Sequence, residues 1–422
     1  MKPCEVCGTV RAPPSKSLTQ RAVLLASLAD GQSTILSPST CYDAASAIRI
    51  ARMLGAKVGA AKGRLVVDGL SSKPIGAALD CAESGFCARV SIPLSATYDG
   101  KFKVTGSGTL ASRPIGPVEG PMRSLGAKCG LTGGLLPAKV SGPMKGGRAA
   151  LDCSHGSQFL SGLLMALPVC PEDSELSVSN LKSKPYVRMT SDTASIFGAK
   201  IVCDEGLSSF EIEGGRQLKP ARVAIEGDWS GAAFLLVAGA LAGRVTVGNL
   251  DSKSLQADRA IVGALKEAGA EVETVRSSVT VASAVLEGFD FDATDCPDLF
   301  PPLAVLAVGC RGTSRIKGAR RLRAKESDRA EALCRQLSGL GADIHVRDDT
   351  MIVRGSHFGT SASSQFYLRG GAADSEGDHR IAMALVVAGL VSEKGVAIKG
   401  HGCVSKSYPG FFGDLARLKV MK

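Results

Sequence analysis

Apolar residues along this chain fall into short helical stretches that end in one recurring phrase. LGAKVG (54–59), LGAKCG (125–130), FGAKIV (197–202), AGAEVE (268–273) and LGADIH (340–345) carry it. Their glycines, Gly55, Gly126, Gly198, Gly269 and Gly341, lie 71, 72, 71 and 72 residues apart. Each phrase follows apolar positions at helical spacing, as in IRIARMLGAKV and AIVGALKEAGAEVETV, and precedes a strand-like run. The glycine fits a helix C-cap, where a positive φ is needed. LVVDG, FEIEG and MIVRG then read as the second arms of short hairpins. Upstream, VLLASLADGQSTILS, FLLVAGALAGRVTVGN and PLAVLAVGCRGTSRIKG repeat a helix, a glycine and a strand. The chain thus reads as about six copies of a β-α-β-α-β-β unit of roughly seventy residues. Such a unit is too large for a solenoid repeat, so the expectation is two domains of three units each. The last copy lacks a clear final hairpin. The N-terminal segment is expected to supply its missing strand, which makes that domain discontinuous.

Composition narrows the class. With 45% hydrophobic and 21% charged residues the chain is globular, and its scarce aromatics (5%) point to aliphatic packing. MKPCEVCGTV has no apolar signal region, and the longest apolar run, GAAFLLVAGALAG (231–243), is too short to span a bilayer, so a cytoplasmic protein is expected. Fifty Lys and Arg against 40 Asp and Glu give a net charge of +10, which favours anionic partners. No block of Lys and Arg marks a nucleic-acid tail. Thirteen scattered cysteines read as reduced thiols, and Cys4 and Cys7, spaced C-x-x-C, lack the second pair a zinc site wants.

The candidate chemistry lies where charge interrupts the repeat. PPSKSLTQRAVLLASLADG (13–31) places Lys16 at a helix start and Arg21 one turn in, against the macrodipole unless an anion binds there. SHGSQFLSGLLMALP (154–168) opens a helix on Gly156, Ser157 and Gln158, with Ser183 and Tyr186 of SKPYVRMT (183–190) behind it. TDCPDLFPPLAVLA (294–307) sets Asp298 in the first turn of an apolar helix. RLRAKESDRAEAL (321–333), SEGDHRIAMAL (375–385) and VSKSYPGFF (404–412) add Lys325, Glu326, Arg329, Asp378, His379, Arg380 and Lys406. Taken singly, each reads as a capped or solvated helix start. Cations crowded at several helix starts are better explained by a site that holds phosphates and carboxylates together.

In this order PPSKSLTQRA, SQFLSGLLMALP, KPY, GDWSGAAF, PD, KESDR, GDHRIAM and KSYPGFF closely resemble the 5-enolpyruvylshikimate-3-phosphate synthase family, from about residue 12 to about 412. The resemblance implies a two-domain inside-out α/β barrel of six βαβαββ units, three per domain, with residues 1–14 plus 227–422 forming one domain and 15–226 the other. It places the active site in the interdomain cleft. The implied reaction transfers the enolpyruvyl group of phosphoenolpyruvate to the 5-hydroxyl of shikimate 3-phosphate and releases phosphate. It is a step toward chorismate and the aromatic amino acids. It needs no cofactor and no metal, and the implied protein is a monomer that binds neither nucleic acid nor membrane. Two alternatives stay open: enolpyruvyl transfer to a UDP-sugar, as in the sister family, and nucleic-acid binding on the related fold of RNA 3′-phosphate cyclases.

By the same resemblance, Lys16 bridges both substrates, and Ser17 and Arg21 hold the shikimate carboxylate. Ser157 and Ser183 hold the 3-phosphate, Gln158 and Tyr186 lie against the ring, and Lys325 contacts the same substrate. Asp298 accepts the 5-hydroxyl proton, and Glu326 protonates the methylene carbon of phosphoenolpyruvate and later removes a proton. Arg329 and Arg380 clamp the phosphoenolpyruvate carboxylate, while Arg113 and Lys406 take its phosphate beside Gly85 and Gln158. Independently of the resemblance, KESDR (325–329) falls where LQADR (255–259) lies in the preceding repeat, so Asp328 is expected to be structural, and Glu331 a solvated helix residue. Departures stand out in AESGFCAR (82–89), where Gly85 and Arg89 are kept but Glu83 replaces an amide and Phe86 a small polar residue. The ring is expected to crowd the phosphoenolpyruvate phosphate and alter sensitivity to glyphosate, the family's inhibitor. Gly156 stands where a phosphate-binding Ser is common, so Ser154 or a backbone N–H is expected to substitute. Arg321 stands where a neutral amide is frequent.

Overall fold

The computed structural model describes residues 1–70, 74, 78–355 and 367–420. All five phrase glycines take positive φ, from +86° to +108°. Each closes a helix: Tyr42–Met53, Glu119–Ser124, Lys184–Ile196, Ile261–Glu267 and Arg329–Gly339. The closures are chemically identical. The glycine N–H bonds back three residues and the following alanine N–H back five, as in Gly198 to Ser195 (2.9 Å) and Ala199 to Ala194 (3.1 Å). This is the Schellman arrangement, and each of those alanines is buried.

The hairpin after each closure joins a four-stranded sheet. In one, the order is Ala78–Asp80, Lys101–Thr105, Leu135–Ser141, Lys128–Thr132, with the first two strands parallel and the rest antiparallel. The sheets led by Gly147–Asp152 and by Asp290–Asp292 repeat this scheme from contiguous chain. Two further sheets borrow their first strand. Val6–Arg11 lies parallel to Gly243–Gly248, and Arg222–Ala224 lies parallel to Gly31–Leu36. The N-terminal strand therefore completes the fourth unit, not the last as the sequence reading expected. Among the described residues the last unit pairs Gly371–Asp374 with Val396–Lys399 as a two-stranded sheet, and Met1 exchanges backbone bonds of 2.5 and 2.8 Å with Val396. A hydrogen-bonded edge can accept any strand of matching direction, and nothing local in VCGTVR says which edge.

Contacts divide the chain into two compact units, Met1–Pro13 with Glu226–Lys422, and Pro14–Ile225. In the first, three apolar helices pack on one another: Trp229–Ala242, Phe300–Val308 and His379–Leu390. Their side chains are buried almost throughout, because helices apolar on every face need partners on every face. In the second unit Gly85–Ser95 is buried along its whole length and packs on Gln158–Ala166. That approach needs Gly162: a Cβ there would lie 2.7 Å from Pro93 and 2.9 Å from Val90. The strands put alternate residues on these helices and the rest outside, as in Ser174–Ser179. Helices inside and sheets outside give the inside-out α/β architecture. Among the described residues, no helix is long and apolar enough to cross a membrane. All thirteen cysteines are free.

Candidate active site

In the unit built from both ends of the chain, the charged residues gather where its central helices begin. Asp298 sits in the 3-10 turn Pro297–Leu299 that leads into Phe300–Val308. Asp378 caps His379–Leu390, and Asp328 caps Arg329–Gly339 by accepting from the Glu331 N–H at 3.2 Å. Arg329 is the hub. Its guanidinium, 1% exposed, donates from Nε to Asp378 (2.9 Å), from Nη1 to Asp298 (2.9 Å) and from Nη2 to Glu326 (2.8 Å) and Asp378 (3.3 Å). Arg380 reaches the other oxygen of Asp298 at 2.9 Å, and Lys325 lies 3.5 Å from Asp298. Lys406 stands 3.8 Å from the other oxygen of Glu326. Glu331 pairs with Arg335 on the exposed helix face, away from this network.

The electrostatics follow from that geometry. Burial works against charge on Asp298, but Arg380, Lys325 and Arg329 hold its carboxyl well below the usual carboxylate range. Burial lowers Lys325 to about 8 against the pull of Asp298. Arg329 is opposed by burial, yet its three carboxylates raise it further, so it is always charged.

Beneath this network lies a residue the sequence reading passed over. Asp258 is fully buried, takes a hydrogen bond from Ser230 on one oxygen, and makes none with the other among the described residues. Burial first, then the charge of Asp298, pushes it up to about 7, while Arg380 and Ser230 oppose. Because its folded value lies above its unfolded one, the stability it contributes is complete below about pH 4 and is lost as pH rises through about 7. Asp258→Asn removes that titration. Its melting temperature relative to the parent should rise between pH 5 and pH 8, by the equivalent of on the order of 1–3 kcal/mol. A difference that is flat with pH would show that Asp258 carries no buried charge.

The second unit holds the remaining candidates. Lys16 begins the helix Lys16–Leu28, which Ser15 caps, and its ammonium meets Asp43 at 2.9 Å. Arg21, one turn on and 3% exposed, donates to Thr190 Oγ1 (2.8 Å), the Ser17 carbonyl (3.0 Å) and the Tyr186 carbonyl (3.2 Å). Burial lowers it to about 10, so it remains a cation. Arg89 donates to the carbonyls of Gly85 (3.0 Å), Pro114 and Ile115 (3.2 Å) and to Gln158 Oε1 (3.3 Å). It thereby fixes the turn that carries Arg113. Both guanidinium groups close on Gly85: a Cβ there would lie 3.1 Å from Arg89 Nη1 and 3.1 Å from Arg113 Nη2. Ser157 is buried at the start of Gln158–Ala166. Ser183 caps Lys184–Ile196 in the left-handed region at φ +57°, a strained position for serine.

Three departures gain physical reasons. Gly156 takes φ +129°, which a serine rarely adopts. Beside it Ser154 bonds Asp152 through its N–H and hydroxyl (both 3.0 Å), and the Gly156 N–H bonds the Cys153 carbonyl (3.0 Å). Glu83 packs over Gly108, where a Cβ would lie 1.9 Å from its carboxylate, so the acid and the glycine go together. Arg321 donates to the Thr294 carbonyl and so anchors the segment ahead of Asp298. Asp43, Thr190 and Asp258, which organise Lys16, Arg21 and the acidic network, were not found from sequence. Only Asp258 left a signal, as the counterpart of Asp328 in the preceding repeat.

The fold is that of EPSP synthase: two solved structures of that protein from Acinetobacter baumannii superpose with TM-scores of 0.82 and 0.81, at 23% and 22% identity. The first covers 99% of this chain and 97% of that one. The chain belongs to the EPSP synthase (3-phosphoshikimate 1-carboxyvinyltransferase) family, whose pattern it matches over residues 1–415. Curated relatives of that name are 37% identical in Methanocorpusculum labreanum (98% of this chain, 96% of the relative) and 40% identical in Aeropyrum pernix (99% and 94%). One from Thermococcus kodakarensis is 40% identical over 98% of each chain.

Proposed function

We propose that this enzyme joins phosphoenolpyruvate to shikimate 3-phosphate and releases phosphate. The observation that supports this most directly is the Arg329 hub, which holds two candidate proton-transfer carboxylates, Asp298 and Glu326, among Lys325, Arg380 and Lys406. Two multiply charged anions can meet only where dense cations offset their repulsion. Arg329 and Arg380 suit a planar carboxylate, and Lys406 and Arg113 a phosphate. Lys16 bridges the substrates. Arg21 and Ser17 receive the shikimate carboxylate, Ser157 and Ser183 the 3-phosphate, and Gln158, Tyr186 and Lys325 complete the acceptor site beside Gly85.

In the first step the methylene carbon of phosphoenolpyruvate takes a proton from Glu326. The 5-hydroxyl oxygen bonds to C2 and gives its proton to Asp298. In the second step the tetrahedral intermediate returns a methyl proton to Glu326 and expels phosphate, whose departing oxygen takes the proton that Asp298 accepted. A carboxylate as strongly stabilised as Asp298 is a weak base. Bound anions that draw Arg380 and Arg329 onto themselves would restore its basicity and loosen the cations around Glu326. Substrate thus arms both groups. The test is phosphate release on mixing the protein with both substrates, one phosphate per enolpyruvyl product and none with either substrate alone. No release from the pair, or release only when UDP-N-acetylglucosamine replaces shikimate 3-phosphate, would overturn the reading.

A further inference from the structure

The Phe86 ring has a charged neighbour. It lies on Arg21, with its centroid 4.5 Å from Cζ, and the Tyr186 ring stands 5.9 Å from the same atom. Both distances are within cation–π range, and the guanidinium is almost fully desolvated, where such contacts are strongest. Three of its N–H groups are spent on Thr190, Ser17 and Tyr186, which leaves one N–H on each terminal nitrogen without a partner among the described residues. A guanidinium fixed along its inner edge and on its face can only offer that remaining pair, in the spacing that suits one carboxylate.

The seat of the ring is itself fixed. Phe86 follows the first residue of the helix Gly85–Ser95, which Ser84 caps. Gln20, one residue before Arg21, donates to Ser84 Oγ at 3.0 Å and to the Asp43 carbonyl at 3.1 Å. The same amide also reaches Cys87 Sγ at 3.4 Å, so Gln20 ties the helix that carries Arg21 to the helix that carries Phe86. At 8% exposure the ring fills this seat, where a small polar residue would leave the guanidinium face bare.

We infer that Phe86 is a positioning residue for the acceptor substrate: its ring holds Arg21 so that the free N–H pair meets the carboxylate of shikimate 3-phosphate. This rests on the proposed role of Arg21, and it moves Phe86 from the phosphoenolpyruvate phosphate, where the sequence suggested it, to the other substrate. In Phe86→Leu, which keeps apolar bulk but loses the ring, KM for shikimate 3-phosphate should rise about tenfold, while kcat and KM for phosphoenolpyruvate stay within about twofold. Phe86→Tyr, which keeps the ring, should retain the parent KM. A 3-phosphate analogue that lacks the ring carboxylate separates positioning from general damage, because Phe86→Leu should not weaken its use further. If Phe86→Leu does not fold, Phe86→Met serves the same comparison. An unchanged KM for shikimate 3-phosphate, or a rise confined to phosphoenolpyruvate, overturns the inference. A parent enzyme that does not discriminate against the carboxylate-free analogue overturns the role of Arg21 instead.

Discussion

Arg329→Met should destabilise its unit by about 3–5 kcal/mol at neutral pH and abolish measurable turnover. The side chain is 1% exposed and joins Asp378, itself fully buried, to Glu326 and Asp298. Methionine fills similar volume but leaves buried carboxylates facing one another with their shared cation gone. Among the described residues Asp378 would keep the Arg380 backbone N–H (2.9 Å) and a long bond from Ser327 (3.4 Å), with His379 Nδ1 3.9 Å away. Removing one partner of a buried ion network costs far more than the network contributes over an apolar replacement, because the stranded charges have no water to turn to. The deficit should shrink on acidification, as protonation neutralises the stranded carboxylates. Arg329→Lys should fall between, since a single ammonium cannot reach three carboxylates along a planar fork. Denaturant unfolding at pH 5 and pH 7 reads both effects. A variant within 1 kcal/mol of the parent at pH 7 would mean that Arg329 is not the hub.

What the sequence revealed and what it hid divide along a physical line. The five phrase glycines were legible because a positive φ at a helix end is a local demand that few residues meet. The apolar helices were legible because burial on all faces leaves no polar positions. Strand pairing was not: Val6–Arg11 reads as a strand in isolation, but the edge it joins lies more than two hundred residues away in the chain. The Asp-Arg pairs show the same limit within the site. Asp328 and Asp258 hold equivalent repeat positions, yet Asp328 caps a helix and Asp258 is sealed beside Arg380 and Asp298. The stretch KESDR declared that charges were concentrated. Which carboxylate met which cation depended on three helix starts brought together by packing. Likewise the sequence exposed Phe86 as unusual but could not say that its neighbour is Arg21.

Glu326→Gln and Asp298→Ala should each lower kcat by about 10²–10⁴, with opposite consequences for the resting site. Glutamine at 326 keeps the shape and can still accept from Arg329, so folding and substrate affinity should hold while proton delivery to the methylene carbon fails. If Glu326 acts in both steps, its loss should exceed that of Asp298, and the reverse reaction should slow equally, since the same group works in each direction. Alanine at 298 removes the partner shared by Arg329, Arg380 and Lys325. Three cations then face one another with less anion between them, so this variant should bind phosphoenolpyruvate no more weakly than the parent while it turns over slowly. Phosphate release under saturating substrates measures the kcat terms, and direct binding of each substrate separates affinity from chemistry. If either variant keeps kcat within tenfold of the parent, that carboxylate does not carry the proton. If Asp298→Ala loses phosphoenolpyruvate affinity instead, Asp298 serves to organise the cations and the base must be sought elsewhere in the network.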